Sequence, residues 1–229
     1  MAGILGNVWR AVRELAGQEG PLARGRDWQP EGVVKIIVGL GNPGRQYAGT
    51  RHNVGFDAID ALAARLAWCA PGAFDTVARA KFEALCYDGL VPTSHGDCKV
   101  LLMKPQTFMN LSGSSAHQAM RFFNLKPADV MVVSDEMALP AGTIRIKPSG
   151  SAGGHNGLKD VQRHLGTQDY PRLRIGVDQP PARVPGKDYV LGKISPEQKP
   201  KIDEAIENAA KALATWVDKG TEAAMNQFN

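Results

Sequence analysis

Apolar positions along this chain switch repeatedly between two periods. VVKIIVGL (33–40) is a β-branched run of strand length, suited to the buried centre of a sheet, and it stops at GNPG. Residues 53–68 carry Phe56, Ile59, Leu62 and Leu66 on one helical face. Strands are expected near 78–88 and over CKVLLMKP (98–105), followed by a helix over 113–124. DVMVVSD (129–135) is a buried strand that ends on a carboxylate. TIRIKP (143–148) alternates apolar and basic residues, as a strand with one wet face does. A glycine-rich loop, 150–157, leads into a helix beginning near Gly157. RLRIGV (172–177) is the next strand, and 196–217 a long amphipathic helix with Ile202, Ile206, Leu213 and Trp216 on its apolar face. Strands alternating with helices predict one α/β domain, residues 33–229, with helices on both faces of a sheet.

The first 32 residues read differently. Ile4, Leu5, Val8, Trp9, Val12 and Leu15 recur at helical spacing, so residues 1–16 form an amphipathic patch, a candidate surface for a protein partner. Arg10 and Arg13 would suit a mitochondrial presequence, but Glu14, Glu19 and the lack of serine oppose it. Residues 17–32 are polar and rich in Gly and Pro, a linker composition. The expected compartment is the cytoplasm, with mitochondrion or chloroplast as the alternative.

Composition narrows the picture only at a few points. Lys+Arg number 27 against 23 Asp+Glu, a formal charge of +4 that permits an anionic partner without demanding one. No apolar run approaches the ~18 residues of a membrane span. The three cysteines, Cys69, Cys86 and Cys98, lack CxxC spacing, which argues against a disulfide framework or structural zinc. The five histidines show no HExxH or paired spacing with acids, so neither a metal nor an organic cofactor is expected.

Five segments carry candidate chemistry. GLGNPG (39–44) matches the glycine fingerprint of dinucleotide sites. Against that reading, Pro43 removes a backbone N–H, no helix follows at once, and no acidic strand end lies about 20 residues on. The alternative is a turn that projects Asn42 beyond the strand end. YAGTRHNVGF (47–56) places His52 at a helix start, in reach of the same crevice as Asn42, where a merely hydrogen-bonded helix-start residue is the plain alternative. KPQTFMNLSG (104–113) places Asn110 past a strand end, where an Asx-turn is the plain alternative. VVSDEMALPAG (132–142) ends a strand on Asp135, a carboxylate that must be hydrogen-bonded or paired to tolerate partial burial, although taken alone it reads as a turn-initiating Asp before Pro140. In GSAGGHNGLKD (150–160), His155 and Asn156 are the large polar groups of a glycine loop, with Asn156 as a plain helix cap in the alternative. Arg145, Lys147, Lys159 and Arg174 surround that loop and resemble a phosphate seat more than a solvated stripe.

Together, and in this order, these segments closely resemble the bacterial-type peptidyl-tRNA hydrolase family over about residues 34–226. DYVLGK (188–193) adds to the match. The resemblance implies a monomeric α/β domain with a twisted mixed sheet. It implies cleavage of the ester between a peptide and the terminal ribose of tRNA, without metal or cofactor. His52 would be the general base and Asp135 the carboxylate that orients it. Asn42, Asn110 and Asn156 would bind substrate and position water, Tyr47 and Met109 would neighbour the peptide end, and Arg145, Lys147 and Arg174 would face tRNA phosphates. Ser134 stands where a histidine is frequent. Ala138 stands where a second acidic residue is common, which puts the local turn in question. A free imidazole titrating near ~6.5 suits water activation at neutral pH. The competing readings are a non-enzymatic RNA-binding relative, of the organellar intron-splicing type, and a dinucleotide-binding protein resting on GLGNPG alone.

Overall fold

The computed structural model describes residues 33–229. The amphipathic patch and linker expected over residues 1–32 lie outside the described residues.

The seven strands are β1 (Val33–Gly39), β2 (Arg79–Lys81), β3 (Ala84–Thr93), β4 (Gly96–Pro105), β5 (Val130–Glu136), β6 (Ile144–Lys147) and β7 (Arg172–Gly176). They form a single sheet in the order β2-β3-β4-β1-β5-β7-β6. The central strands β4, β1, β5 and β7 run parallel, while β2, β3 and β6 join antiparallel. The expected mixed α/β sheet is therefore present.

Period two divides the core cleanly. Ile37, Leu102, Met131, Val133, Leu173 and Ile175 face one layer. Ile36, Val38, Leu101, Met103, Val130 and Val132 face the other. The first layer is covered by helix α1 (Val54–Arg65), the four-residue α2 (Phe74–Val77) and the long α6 (Lys199–Phe228). The second is covered by α3 (Ser112–Phe122) and α4 (Asn156–Leu165), and α5 (Gly186–Leu191) closes the first face near the sheet end. In α1 the buried positions Val54, Ala58, Ile59, Leu62 and Ala63 make one stripe, each large aliphatic worth about 1.5–3 kcal/mol on burial.

Three expectations need correction. The strand expected near 78–88 is a hairpin, because Phe82 and Glu83 both take positive φ (54° and 55°) between paired Lys81 and Ala84. Two left-handed residues are the geometry of a tight hairpin turn, and Phe-Glu lacks the Asn-Gly signature that announces one. The C-terminal helix runs to Phe228 rather than 217, with a break at Gly220 (φ 82°, ψ −177°) that lets Ala224, Met225 and Phe228 pack back on the core. Helix α5 lies in a stretch to which sequence periodicity assigns no element.

β1 has β4 on one side and β5 on the other, and the helices that follow β1 and β4 cover opposite faces. Such a switch point leaves a crevice at the carboxyl ends of the strands. The approach there is tight: a Cβ on Gly39 would lie 2.2 Å from Gly55 O, and one on Gly55 2.4 Å from Leu40 O. Only glycines let α1 start this close to the end of β1.

Candidate active site

The turn Arg51–Asn53 leaves the β1 crevice and delivers His52 over the end of β5. There His52 Nδ1–H donates to Asp135 Oδ1 at 2.8 Å, across 83 residues of sequence. Asp135 is 4% exposed. A second imidazole reaches the same oxygen: His155 Nε2 lies 2.9 Å from Asp135 Oδ1. Burial would raise the Asp135 carboxyl, but the His155 and His52 imidazoles and their hydrogen bonds outweigh it and hold the group well below the usual carboxylate range.

The hydrogen-bond pattern assigns the tautomers. His155, not Asn156, caps helix α4: its Nδ1 accepts the Leu158 N–H at 3.2 Å. That nitrogen therefore holds a lone pair, so the proton of the neutral ring sits on Nε2 and is donated to Asp135. His52, donating through Nδ1, keeps a lone pair on Nε2, the atom a general base needs.

His52, Asp135 and His155 also form a set whose ligand atoms lie within 4.8 Å of one another, which sequence spacing gave no means of seeing. A cation on His155 Nε2 would require the Nδ1–H tautomer, and that proton would point at the Leu158 N–H. The arrangement suits shared protons better than a metal.

The asparagines have separate tasks. Asn42 and Asn53 lock the crevice in both directions, Asn42 N–H donating to Asn53 Oδ1 and Asn53 Nδ2 to Asn42 O, each at 2.9 Å. Asn42 Oδ1 in turn accepts the Met109 N–H at 2.8 Å, which turns its amide NH2 into the available donor. The loop N–H that a nucleotide phosphate would need is thus taken by protein. Asn110, in the turn Met109–Leu111, and Asn156, the first residue of α4, are both exposed. Met109 is buried, and Tyr47 meets the exposed Phe108 ring edge-on at 6.5 Å.

The cations divide. Arg145 and Lys147 are exposed on edge strand β6, directly opposite Arg174 and Arg172 of β7. The two β6 cations are exposed to solvent, whereas their β7 partners are held by the protein. Arg174 is not free: it pairs with Glu136 at 2.7 Å and donates to Ser151 O. Arg172 is fully buried and holds the same Ser151 carbonyl, so both arginines shape the loop that carries His155. Lys104 is consumed as well, its ammonium reaching Asp60 at 2.9 Å and Asp75 at 2.7 Å. The turn after Asp135 closes without a second acid at 138, because Glu136 Oε1 accepts the Ala138 N–H.

Sequence reasoning missed His155 as a partner of Asp135, Asn53 as the lock on Asn42, and Arg51 and Gln198. His155 was visible as a large polar group in a glycine loop; the others carried no local signal. A recess of about 720 Å³ lined by Asp57, Asp60, Lys193, Lys199, Asp203 and Glu207 shares no lining residue with the His52 site.

The family model described as "Peptidyl-tRNA hydrolase" matches residues 36–229. A peptidyl-tRNA hydrolase of Desulfitobacterium hafniense is 44% identical over 196 residues, covering 86% of this chain and all of that protein. One of Rhodopirellula baltica is 42% identical, covering 86% of this chain and 97% of that protein. Among solved structures, a peptidyl-tRNA hydrolase crystal structure from Acinetobacter baumannii aligns with a TM-score of 0.73 at 34% identity, over 86% of this chain and 94% of that one. With the profile match spanning nearly every described residue and such relatives covered end to end, the chain belongs to the peptidyl-tRNA hydrolase family.

Proposed function

We propose that this protein hydrolyses the ester joining a peptide to the terminal ribose of tRNA, with His52 as general base and Asp135 orienting it. The observation that carries this reading is the 2.8 Å contact from His52 Nδ1 to Asp135 Oδ1, which leaves Nε2 as the basic atom. Water deprotonated by Nε2 attacks the ester carbonyl. The imidazolium that forms is stabilised by the Asp135 charge, and it returns the proton to the ribose oxygen as that oxygen leaves. An ester to a ribose hydroxyl is an activated acyl bond, so one base and water suffice. The amide NH2 groups of Asn42, Asn110 and Asn156 are the donors available to hold the water and the developing oxyanion.

The exposed pair Arg145 and Lys147 meets phosphates of the acceptor stem, while Arg174, expected to do the same, is engaged by Glu136 and acts by holding the His155 loop. Tyr47 and Met109 neighbour the peptide. A site completed within one chain supports a monomeric enzyme. The free state of Cys69, Cys86 and Cys98 and the bacterial relatives support the cytoplasm. Among the described residues no helix is long and apolar enough to cross a membrane. The intact His52–Asp135 pair and relatives that bear the name hydrolase do not favour the non-enzymatic RNA-binding reading.

The test is release of peptide from N-acetyl-aminoacyl-tRNA by the purified protein with EDTA present. Turnover is expected. No release, or release only after zinc is restored, overturns the mechanism.

A further inference from the structure

We infer that Arg51, Gln198 and Asp178 form a positioning relay that sets His52 against Asp135. The inference rests on the catalytic reading of that pair.

Arg51 immediately precedes His52 and is buried at 8% exposure. Its guanidinium donates through Nε (3.0 Å) and Nη2 (2.5 Å) to Gln198 Oε1, and through Nη1 to the carbonyls of Tyr189 (3.2 Å) and Lys193 (2.9 Å). Its plane lies over the Tyr189 ring at 4.2 Å. All these acceptors are neutral. Burying a cation against neutral groups is costly unless the geometry is complete, so every donor here constrains the turn that carries His52.

Gln198 carries the constraint onward. With Oε1 committed to Arg51, its Nε2 donates to Asp178 Oδ2 at 2.8 Å and to Tyr189 Oη at 2.9 Å. Tyr189 Oη–H then donates to Val177 O at 2.7 Å. Asp178 Oδ1 accepts the Ala141 N–H at 2.7 Å, and the Asp178 N–H donates to Leu139 O at 3.1 Å. Residues 139–141 belong to the loop that leaves Asp135 and Glu136. The relay therefore starts one residue from the base and ends on the loop beside the carboxylate that orients it.

The backbone repeats the connection. Arg51 N–H donates to Gly192 O at 3.2 Å, Ile194 N–H to Gly49 O at 3.0 Å, and Thr50 bridges Lys193. The 189–198 segment thus clasps the His52 turn from outside the crevice while Asp135 waits inside it. The turn is held from within by the Asn42–Asn53 bonds on one flank of His52 and from outside by this clasp on the other, so the position of His52 depends on both.

The test compares Gln198→Ala and Arg51→Lys with wild type. Gln198 is only half-buried, so its variant keeps the core intact. The measurements are kcat and KM for peptidyl-tRNA, normalised to the folded fraction, and the 15N shifts of the His52 ring. The expected result is a kcat lower by about 10- to 100-fold. KM should stay within about twofold, the pattern of a lost transition-state interaction. The His52 ring signals should move while those of the distant His95 stay. A normalised kcat within about twofold of wild type, or a fall in kcat with unchanged His52 signals, overturns the relay. His52→Ala separates the two claims. If that variant retains wild-type turnover, the catalytic reading itself fails. If it is inactive while Gln198→Ala is fully active, only the positioning role fails.

Discussion

His52 and His155 share a single acceptor atom: their rings, 4.9 Å apart, both donate to Oδ1 of Asp135. The two are not equivalent. The Leu158 N–H occupies the other nitrogen of His155, so protonating that ring would place N–H against N–H. His155 is thus committed on both nitrogens, whereas the Nε2 of His52 is left for the chemistry proposed above.

Replacing His52 by Ala should lower kcat by at least about 100-fold, within the range a positioned base supplies. Binding of tRNA should be nearly unchanged, because the ring acts on water rather than on phosphate. Steady-state kinetics with a parallel tRNA binding titration checks this. Retention of a tenth of wild-type kcat/KM would cost the barrier only about 1.4 kcal/mol and would remove His52 from the role.

The acid limb of stability should contain Asp135. Its folded pKa lies below the reference value of 3.8, so its contribution is present above that pH and is lost as pH falls through the lower folded value. Denaturant unfolding at stepped pH should show wild type losing up to about 1.4 kcal/mol per pH unit more than Asp135→Asn below pH ~4. Parallel curves for the two proteins would contradict the depressed carboxyl.

Asp57 should behave in the opposite sense. Burial, reinforced by the neighbouring Asp60, pushes its carboxyl up to about 6 against the pull of Lys104 and Lys199. A raised carboxyl stabilises the fold below its unfolded pKa, and that contribution is lost as pH rises through about 6. Asp57→Asn should therefore be more stable than wild type at pH ~8 by about 1–2 kcal/mol, the desolvation gain less the favourable charge at the start of α1. The gain should shrink towards pH ~4. A stability difference between the two proteins that is the same at both pH values would contradict the raised carboxyl.

On the basic face, Arg145→Ala and Lys147→Ala should each raise KM for full-length peptidyl-tRNA and leave kcat nearly alone. Each should flatten the plot of log K against log salt by roughly one unit. A peptide esterified to adenosine has no acceptor stem, so the same variants should cleave it at the wild-type rate. Wild-type tRNA affinity of the double variant at low salt would leave these residues as a solvated face.

Much of this molecule is determined locally. The parallel core strands are legible because a strand buried on both faces must be apolar along its length, as in Val130–Val133. The wet edge of β6 is legible because Arg145 and Lys147 alternate with Ile144 and Ile146. The roles proposed for His52 and Asp135 came from the family resemblance that ordered motifs carry, since residue types and spacing survive without any contact being known. Other features exist only in three dimensions. His155 is 20 residues from Asp135 and 103 from His52, and no periodicity links such positions; the switch between β1 and β5 brings them to one oxygen. Arg174 and Lys104 look like free cations in sequence, yet Glu136 spends one and Asp60 with Asp75 the other. A side chain's type states which bonds it can make. Only the packing of elements distant in sequence decides which partners are close enough, and dry enough, to make them.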